Sequence, residues 1–461
     1  MRIEDFENKK ILIFCPHEDD EINLAGGLLL ALKKIKCEIK VIYSTNGDYF
    51  VKAKYRIREA IKSLNKLGIK KENIIFLGYP DCFSDYKSHL YMENEKWISP
   101  NGLKQTYLPE GEEYHHKKHK EHALLNRDNF VTDIFEILEE ERADILICVD
   151  YDEHADHRAL HLSFERAMGK MLNQYTTYHP VVLKAFAYPT EFFGVDDFKT
   201  HRLLRTKFNK NAVSLYDCYN PYYDWKNRIS MDISFVVKNK FLLCNPLFKA
   251  MTKHVSQSIY SRVYRIINSD QVFFSRRTDN LLYGSKLSSS SGEISYLKDF
   301  MLFDSSNILE GETKPEIMDL GYMEFACEDE EKSIQIIFDE KVDIDEINIY
   351  QYVKCKTNKT KVRLIADEKE STFSIELKNY IYQLRDLRLK QIQKLELIFD
   401  KQDDLKLTEL EVFSHSLKNM LIEEDKPLDN TILDKIIFKI DDGIIFVYKC
   451  LFKILRTLFR K

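Results

Sequence analysis

The stretch ILIFCPHEDDE, residues 11–21, decides the fold expected for this chain. Its first five residues form an unbroken apolar run, which is typical of a parallel strand covered on both faces. A histidine and consecutive acidic residues follow, and a helical pattern then extends over about 21–35. In open α/β sheets, ligands bind beyond the carboxyl ends of the strands. Polar residues at this junction therefore indicate a functional site on an α/β sheet.

The alternation of strand and helix continues through the first two-thirds of the chain. A helical pattern over 53–67 ends at Gly68, a suitable C-cap. A long polar insertion at 85–130 is typical of a lid or a substrate loop. Repeated strand–helix–strand units predict an α/β, Rossmann-like, mostly parallel sheet with helices on both faces. Further apolar runs predict strands at 41–44, 74–78, 145–149 and 181–188.

The sequence pattern changes after the four-serine run at 288–291, which we interpret as a linker or a surface loop. Short segments of β-type composition, separated by turn-length intervals, predict an antiparallel β-sandwich at about 295–415. These segments are 333–338, 347–353, 361–366, 373–377, 394–399 and 407–413. We therefore expect three parts, which are residues 1–290, the sandwich at 295–415, and a linker with a terminal helix at 416–461.

The terminal segment from Ile444 has apolar residues at helical spacing, with basic residues along another face. Its longest uncharged run, 443–448, is far below the roughly 20 residues that a membrane-spanning helix requires. A basic amphipathic helix of this kind can lie on an anionic membrane surface. Docking on a neighbouring domain or on a second subunit is an equally weighted alternative. The basic residues are Lys449, Lys453, Arg456 and Arg460.

The composition excludes several classes of protein. A net charge of -5 provides no overall basic field, so we expect no nucleic-acid partner. The nine cysteines form no CxxC motif, which indicates reduced thiols. The first residues, MRIEDFENKK, contain no apolar stretch typical of a secretion signal. We expect a cytoplasmic protein, either free or peripheral at the inner face of the membrane, and the sequence predicts no particular oligomeric state.

The junction after the first strand has the residues of a metal site. Consecutive carboxylates packed beside His17 would repel one another unless a cation lies among them. His17 and Asp20, three residues apart in a tight turn, can converge on one ion. Asp19 then points elsewhere and can reach a water molecule on that ion.

A second polar motif, HADHR at 154–158, follows the strand predicted at 145–149. One of its histidines can complete a His, Asp, His ligand set. Two nitrogens, one carboxylate and an open position suit catalytic Zn²⁺, and Fe²⁺ or Co²⁺ would fit the same ligands. Taken alone, acidic residues at a helix start are usually favourable charge at its positive end. Two such motifs at strand-to-helix junctions of one sheet favour the metal site.

The motifs PHEDDE at 16–21 and HADH at 154–157 resemble those of the PIG-L/LmbE-type deacetylases. These are zinc enzymes that remove N-acetyl groups from molecules containing N-acetylglucosamine. YRIRE at 55–59 and LGYPD at 77–81 extend the resemblance, which covers about residues 8–285. Glu18 stands where the family commonly has proline, at a position that binds no metal.

The resemblance implies a role for each matching residue. It makes His17, Asp20 and His157 the zinc ligands and Asp19 the general base. His154 would stabilise the oxyanion or protonate the leaving amine, with Asp156 orienting it. Arg56 and Asp81 would hold the substrate.

The implied function is zinc-dependent removal of an N-acetyl group from an N-acetylglucosamine-type unit of a glycoconjugate or surface polysaccharide precursor. One alternative is a non-catalytic glycan-binding protein on a degenerate deacetylase fold. Another is an amide hydrolase of a non-sugar or thiol conjugate. The segment 295–415 more weakly resembles the discoidin-like (F5/8 type C) sandwich, which implies carbohydrate binding. A structural or oligomerising role for that sandwich is an equal alternative.

Overall fold

A computed structural model describes most of the chain. The described residues are 1–82, 98–150, 152, 154–187, 205–206, 225–237, 241–302, 321–352, 359–377, 381–417 and 431–459.

The N-terminal part is built on a seven-stranded sheet with the strand order β3-β2-β1-β4-β5-β7-β6. Strands β1 to β5 are parallel, whereas β7 runs antiparallel to both β5 and β6. The strands are β1 Lys10–Cys15, β2 Glu38–Thr45, β3 Ile74–Tyr79, β4 Ile145–Val149, β5 Val181–Ala185, β6 Ile229–Asp232 and β7 Asp270–Arg276.

Helices cover this sheet. All residues of the first helix, α1, are buried, because it packs on the sheet and against α2, α6 and α7. A Cβ atom at Gly27 would lie 2.2 Å from Ile233 Cδ1, so the absence of a side chain permits this close packing. The helices are α1 Asp20–Leu32, α2 Ala53–Leu67, α3 Tyr114–His119, α4 Arg127–Glu141, α5 Ala155–Gln174, α6 Ser234–Val237, α7 Pro246–Met251 and α8 Val263–Ile266.

The predicted Rossmann-like class is confirmed. The strand predicted at 145–149 coincides with β4, and the helix predicted at 53–67 coincides with α2. Gly68 has a left-handed φ of +97° and caps α2 through its N–H. The strand predicted at 181–188 ends at Ala185, and its last residue lies outside the described part of the chain.

The insertion predicted at 85–130 is described from residue 98 onward. It contains α3, and the start of α4 falls within its predicted range. An Asn46 side-chain N–H donates to the Tyr107 carbonyl (2.7 Å), and Tyr107 N–H donates to the Gly78 carbonyl (2.9 Å). These bonds attach the insertion to the ends of β2 and β3.

The C-terminal sandwich consists of a five-stranded sheet, β13-β12-β15-β10-β8, and a four-stranded sheet, β14-β11-β16-β9. Every pairing within them is antiparallel, as predicted. Ser285–Ser289, which we assigned to the first part of the chain, forms β8 and pairs with β10. The strands are β8 Ser285–Ser289, β9 Met323–Glu324, β10 Lys332–Ile344, β11 Glu346–Gln351, β12 Lys359–Ala366, β13 Lys369–Glu376, β14 Ile381–Leu384, β15 Leu389–Phe399 and β16 Lys406–Phe413.

Buried polar contacts join the sandwich to the N-terminal sheet. Arg276, the last residue of β7, forms a buried ion pair with Glu411 of β16. The Asn280 side chain donates to the Leu410 carbonyl (2.9 Å) and accepts from Val412 N–H (2.9 Å). Without these contacts, the two charged side chains and the backbone N–H and carbonyl groups would be buried without a partner.

The last helix, α9 Ile432–Phe459, begins well before the predicted start at Ile444. One of its sides packs on the N-terminal part, with Ile445 buried and the Tyr448 ring at 5.8 Å from that of Phe248. Asp441 is fully buried and accepts a hydrogen bond from Leu242 N–H. Within the described residues, no helix combines the length and the apolar character needed to cross a bilayer.

Candidate metal and active site

The two polar motifs meet at the point where the order of the sheet reverses. Strand β1 lies between β2 and β4, and Phe14 near its end pairs with Cys148 near the end of β4. The segments that follow these strands therefore leave the sheet side by side. This is the switch point at which open α/β sheets bind ligands.

Three donor atoms form a nearly equilateral triangle at this point. His17 Nδ1 lies 3.2 Å from both Asp20 Oδ2 and His157 Nε2, and the latter two atoms are 3.3 Å apart. Tetrahedral zinc ligands at 2.0–2.1 Å from the ion stand roughly 3.4 Å from one another. The three side chains are buried, so water screens their charges little. The donor set and its spacing therefore fit a single divalent ion.

A buried carboxylate holds the other ring nitrogen of each of these histidines. His17 Nε2 lies 3.1 Å from Asp156 Oδ2, and His157 Nδ1 lies 2.8 Å from Asp152 Oδ2. A carboxylate can only accept, so these contacts place a proton on the outer nitrogens, and the inner nitrogens are the ones that can offer a lone pair to a metal. Carboxylates in this outer position orient imidazole ligands in many metal sites.

The charges of the triangle depend strongly on one another. Although burial opposes it, His157 and His17 hold the pKa of Asp20 well below its usual range. Burial lowers the pKa of His157, but Asp152 and Asp20 outweigh it and raise that pKa to about 9. Without a metal, positive charge thus collects on the imidazoles between the carboxylates. A divalent cation would supply the same charge at the centre of the triangle.

Asp19 lies beside this triangle and is paired with a buried arginine. Arg56 Nη2 donates to Asp19 Oδ1 at 2.9 Å. The arginine also lies 3.8 Å from Asp81 Oδ2 and 3.7 Å from Glu18 Oε2. Burial opposes its charge, but Asp19, Glu18 and Asp81 together keep the pKa of Arg56 above its ordinary value. Arg56 therefore fixes Asp19 and neutralises part of the local negative charge.

The turn after β2 makes room for this cluster. Gly47 has a φ of +62°, and a Cβ atom there would lie 2.4 Å from Arg56 Cδ. Its N–H donates to Asp81 Oδ1 at 2.7 Å. Glycine is thus required by both backbone conformation and space. Glu18 is fully buried, and burial raises the pKa of its carboxyl well above the usual range.

His154 is the N-cap of α5 and stays neutral. Its Nδ1 accepts from Asp156 N–H at 3.2 Å, which assigns the ring proton to Nε2. Burial and the nearby His17 and His157 lower the pKa of His154 well below its ordinary value. Its ring centroid is 4.6 Å from that of His17 and 4.8 Å from that of His157.

The structure differs from expectation at Asp156. We expected this carboxylate to orient His154, but its Oδ2 lies 3.9 Å from His154 Nδ1 and 3.1 Å from His17 Nε2. Asp156 also accepts from Cys82 N–H, at 3.0 Å to the same oxygen. The contact with His154 is made by the Asp156 backbone N–H, and the side chain instead contacts His17, which follows the end of β1.

Several residues of the site were missed in the sequence. Asp152 orients His157, and Asn23 donates to the second oxygen of Asp20 at 3.0 Å. Glu21 is buried against His254, with 2.6 Å between Oε1 and Nε2. Asp152 lies in the run DYDEH directly after β4, and its position beside the histidine motif was an available signal. No local pattern points to His254, which is distant in sequence.

A family model matches residues 12–168, and its description is PIG-L, GlcNAc-PI de-N-acetylase. The match includes both histidine motifs. It confirms the resemblance drawn from the sequence and the predicted class, a hydrolase of the deacetylase type. No curated protein matches the chain.

Several solved structures are similar to parts of the chain at low identity. N,N'-diacetylchitobiose deacetylase from Pyrococcus horikoshii is 15% identical, with 59% of this chain and 84% of that chain covered and a TM-score of 0.34. A deacetylase triple mutant of the teicoplanin biosynthetic pathway is 11% identical, with 59% and 99% covered and a TM-score of 0.31. An F5/8 type C domain from Bacteroides fragilis is 8% identical, with 29% and 93% covered and a TM-score of 0.21.

Proposed function

We propose that this protein is a zinc-dependent N-deacetylase of an N-acetylglucosamine-type unit in a glycoconjugate or surface polysaccharide precursor. The observation that carries the proposal is the triangle of His17 Nδ1, Asp20 Oδ2 and His157 Nε2, with Asp19 beside it. A zinc ion held there would supply an activated water and polarise the amide carbonyl. Fe²⁺ fits the same donors.

In this proposal Asp19 is the general base. Arg56 occupies its Oδ1, and its Oδ2 makes no hydrogen bond within the described part of the chain. Oδ2 is therefore available to accept a proton from the attacking water. Because Arg56 holds the carboxylate, the base does not have to be ordered during the reaction, which favours proton transfer.

His154 acts as a hydrogen-bond donor to the oxyanion. Its lowered pKa makes it neutral, and its proton lies on Nε2 because the Asp156 N–H occupies Nδ1. A fixed neutral donor in a buried site stabilises developing negative charge without reorganising. Asp156 in turn orients His17.

Arg56 and Asp81 stay predictions as substrate-holding residues. Arg56 already faces Asp19, Glu18 and Asp81, so we assign it first to positioning Asp19. One oxygen of Asp81 is taken by Gly47 N–H, and the other lies 3.8 Å from Arg56. This second oxygen is the one that we propose for a sugar hydroxyl.

We also propose that α9 lies on an anionic membrane surface. Its exposed side carries Ile436, Ile440, Val447, Leu451 and Ile454, which follow helical spacing. Lys435, Lys439, Lys449 and Lys453 lie along the adjoining side. Apolar and basic faces in this arrangement are typical of interfacial helices. The proposal places the protein in the cytoplasm, peripheral at the inner membrane face, where a lipid-linked sugar is within reach.

The decisive experiment measures acetate release from N-acetylated sugars, nucleotide sugars and lipid-linked sugars, with and without a chelator. We expect acetate from an N-acetylglucosamine-type substrate, its loss with chelator, and its return with Zn²⁺ or Fe²⁺. Glycan binding without acetate release would support the non-catalytic alternative. Turnover confined to non-sugar amides would support the alternative of an amide hydrolase that acts on a non-sugar or thiol conjugate.

A further inference from the structure

We propose that the insertion carries a second binding site for a divalent transition metal, formed by His115, His119 and Asp133. The site lies between α3 and α4, outside the triangle described above. One donor atom from each of the three side chains lies within 4.8 Å of the other two. Zn²⁺, Ni²⁺ and Cu²⁺ are the ions that suit two imidazoles and a carboxylate.

The helix α3 brings the two histidines together. His115 and His119 are four residues apart and therefore share one face. Their ring centroids are 4.5 Å apart. The helix is held at its start by Glu113, whose side chain accepts from His116 N–H at 2.9 Å. Paired histidines at this spacing are a common way for a helix to present a metal site.

The facing helix α4 supplies carboxylates to both imidazoles. His115 Nδ1 lies 2.6 Å from Asp133 Oδ1, and His119 Nε2 lies 2.9 Å from Glu136 Oε2. Tyr79 O–H donates to Asp133 Oδ2 at 2.7 Å, so this buried carboxylate is fixed in place. The other ring nitrogens, His115 Nε2 and His119 Nδ1, make no hydrogen bond within the described part of the chain. His119 thus retains Nδ1 for a metal while Glu136 holds its other nitrogen, whereas His115 would bind through Nδ1, the nitrogen that faces Asp133.

The proposed metal site is accessible on one side and rigid on the other. Asp133 is fully buried, whereas the His119 side chain is 32% exposed and can turn toward an entering ion. In the metal-free protein, Asp133 raises the pKa of His115 through their hydrogen bond. A bound cation would displace that proton, and the 2.6 Å contact would open by roughly 0.8 Å to reach the spacing of ligands on one ion.

Such an ion would cross-link the insertion to the main sheet. Tyr79 is the last residue of β3, and its backbone carbonyl accepts from Asn46 N–H at 2.8 Å. Tyr107, earlier in the insertion, contacts Asp48 through its hydroxyl at 3.2 Å. Metal binding would therefore stabilise the segment that borders the candidate active site, without a part in the reaction itself.

The test is zinc stoichiometry of the full-length protein after dialysis in zinc-buffered solution. We expect the wild-type chain to bind one more zinc than His119→Ala or His115→Ala. His116→Ala is the matched control, because His116 lies on the same helix and instead stacks on His122 at 4.6 Å. That variant should keep the full stoichiometry. Equal zinc content in wild type and His119→Ala, or equal loss in His116→Ala, would overturn the proposal.

Thermal unfolding separates this site from the candidate active site. Asp20→Ala should lose the first ion yet still melt at a higher temperature with Zn²⁺ than without it. Combining Asp20→Ala with His119→Ala should abolish that increase. If Zn²⁺ still raised the melting temperature of the combined variant, the second site would be contradicted. The site would also be contradicted if Zn²⁺ did not raise the melting temperature of Asp20→Ala alone.

Discussion

His154 and His157 are three residues apart, yet their surroundings move their pKa values in opposite directions. Against the effect of burial, Asp152 and Asp20 raise the pKa of His157 to about 9. Burial and the neighbouring imidazoles lower that of His154 well below its ordinary value. Titratable groups whose environments separate their pKa values in this way commonly have different roles. Here His157 has the position of a ligand and His154 that of a neutral donor.

The raised pKa of His157 predicts that protons compete with the metal. A metal ligand must be a neutral imidazole, so binding expels the proton that the folded protein holds up to about pH 9. Apparent zinc affinity should therefore fall as the pH decreases below about 9, by about tenfold per pH unit for each displaced proton. Competition with a chelator of known affinity, measured at several pH values, checks this.

The raised pKa of His157 also predicts that the metal-free protein becomes less stable as the pH increases. A histidine whose folded pKa is raised contributes stability that is fully present below its ordinary pKa of 6.5 and is lost as the pH rises through about 9. The loss for His157 is on the order of 3 kcal/mol. Urea unfolding of metal-free protein between these pH values should show it. A zinc affinity and a metal-free stability that are both independent of pH would contradict the assignment.

Asp19→Asn tests the general base. The amide keeps the size of the carboxylate but cannot take a proton, so turnover should fall roughly 10²–10⁴-fold. Metal content should be unchanged, because Asp19 is not part of the donor triangle. Acetate release and metal analysis on the same preparation provide the measurement. Turnover equal to that of the wild type would refute the role.

At the scale of elements, α5 links the candidate site to the joint with the sandwich. Its first turn carries His157, and its last turns pack on the segment that follows β8, the first strand of the sandwich. There the Asn173 side chain donates to the Lys298 carbonyl at 2.8 Å. A Cβ atom at Gly169 would lie 1.9 Å from the Asp299 carbonyl oxygen, which is backbone and cannot easily move.

Gly169→Ala should therefore destabilise the protein by roughly 1–3 kcal/mol, the usual cost of overpacking. Gly443→Ala in α9 is the matched control, since a methyl group there meets nothing within 4 Å. Alanine favours the helix, so this variant should be more stable by about 0.5–1 kcal/mol. Chemical denaturation of both variants makes the comparison. A neutral effect at Gly169 would show that α5 does not depend on this close approach.

At the scale of the whole molecule, α9 has two apolar sides with different surroundings. One packs on the N-terminal part through Ile445 and Tyr448, and the other is exposed. An exposed apolar stripe of this length is unusual for a monomeric surface. The lysines beside it favour an anionic surface as the partner.

Val447→Glu combined with Leu451→Glu tests this contact. Both side chains are about half exposed, so the change should leave the fold intact while it abolishes binding to vesicles that contain phosphatidylglycerol. Binding of the wild type should weaken with salt, as expected for lysines near an anionic surface. Ile337→Glu, at an exposed position of β10, is the control. The proposal would be contradicted if the wild type, the double variant and Ile337→Glu bound vesicles equally. Self-association through α9 in place of vesicle binding would also contradict it.

Local patterns in the sequence determined the elements, because the periods of strands and helices are properties of neighbouring residues. They predicted α2 and β4 at their observed bounds and six strands of the sandwich. They missed β6 and β7, whose short runs acquire strand structure only by pairing at the edge of the sheet. The start of α9 was predicted too late because its charged first turns, with Asp434 and Lys435, break the apolar pattern.

The sequence by itself also determined which residues could hold a metal, since the types of donor and their place after β1 and β4 follow from the chain alone. Only the tertiary structure decided which partner each donor has. Asp156 contacts His17 across 139 residues of sequence, and Arg56 reaches Asp19 across 37. Such contacts depend on how distant segments pack, and the charge and tautomer of each histidine depend in turn on those contacts.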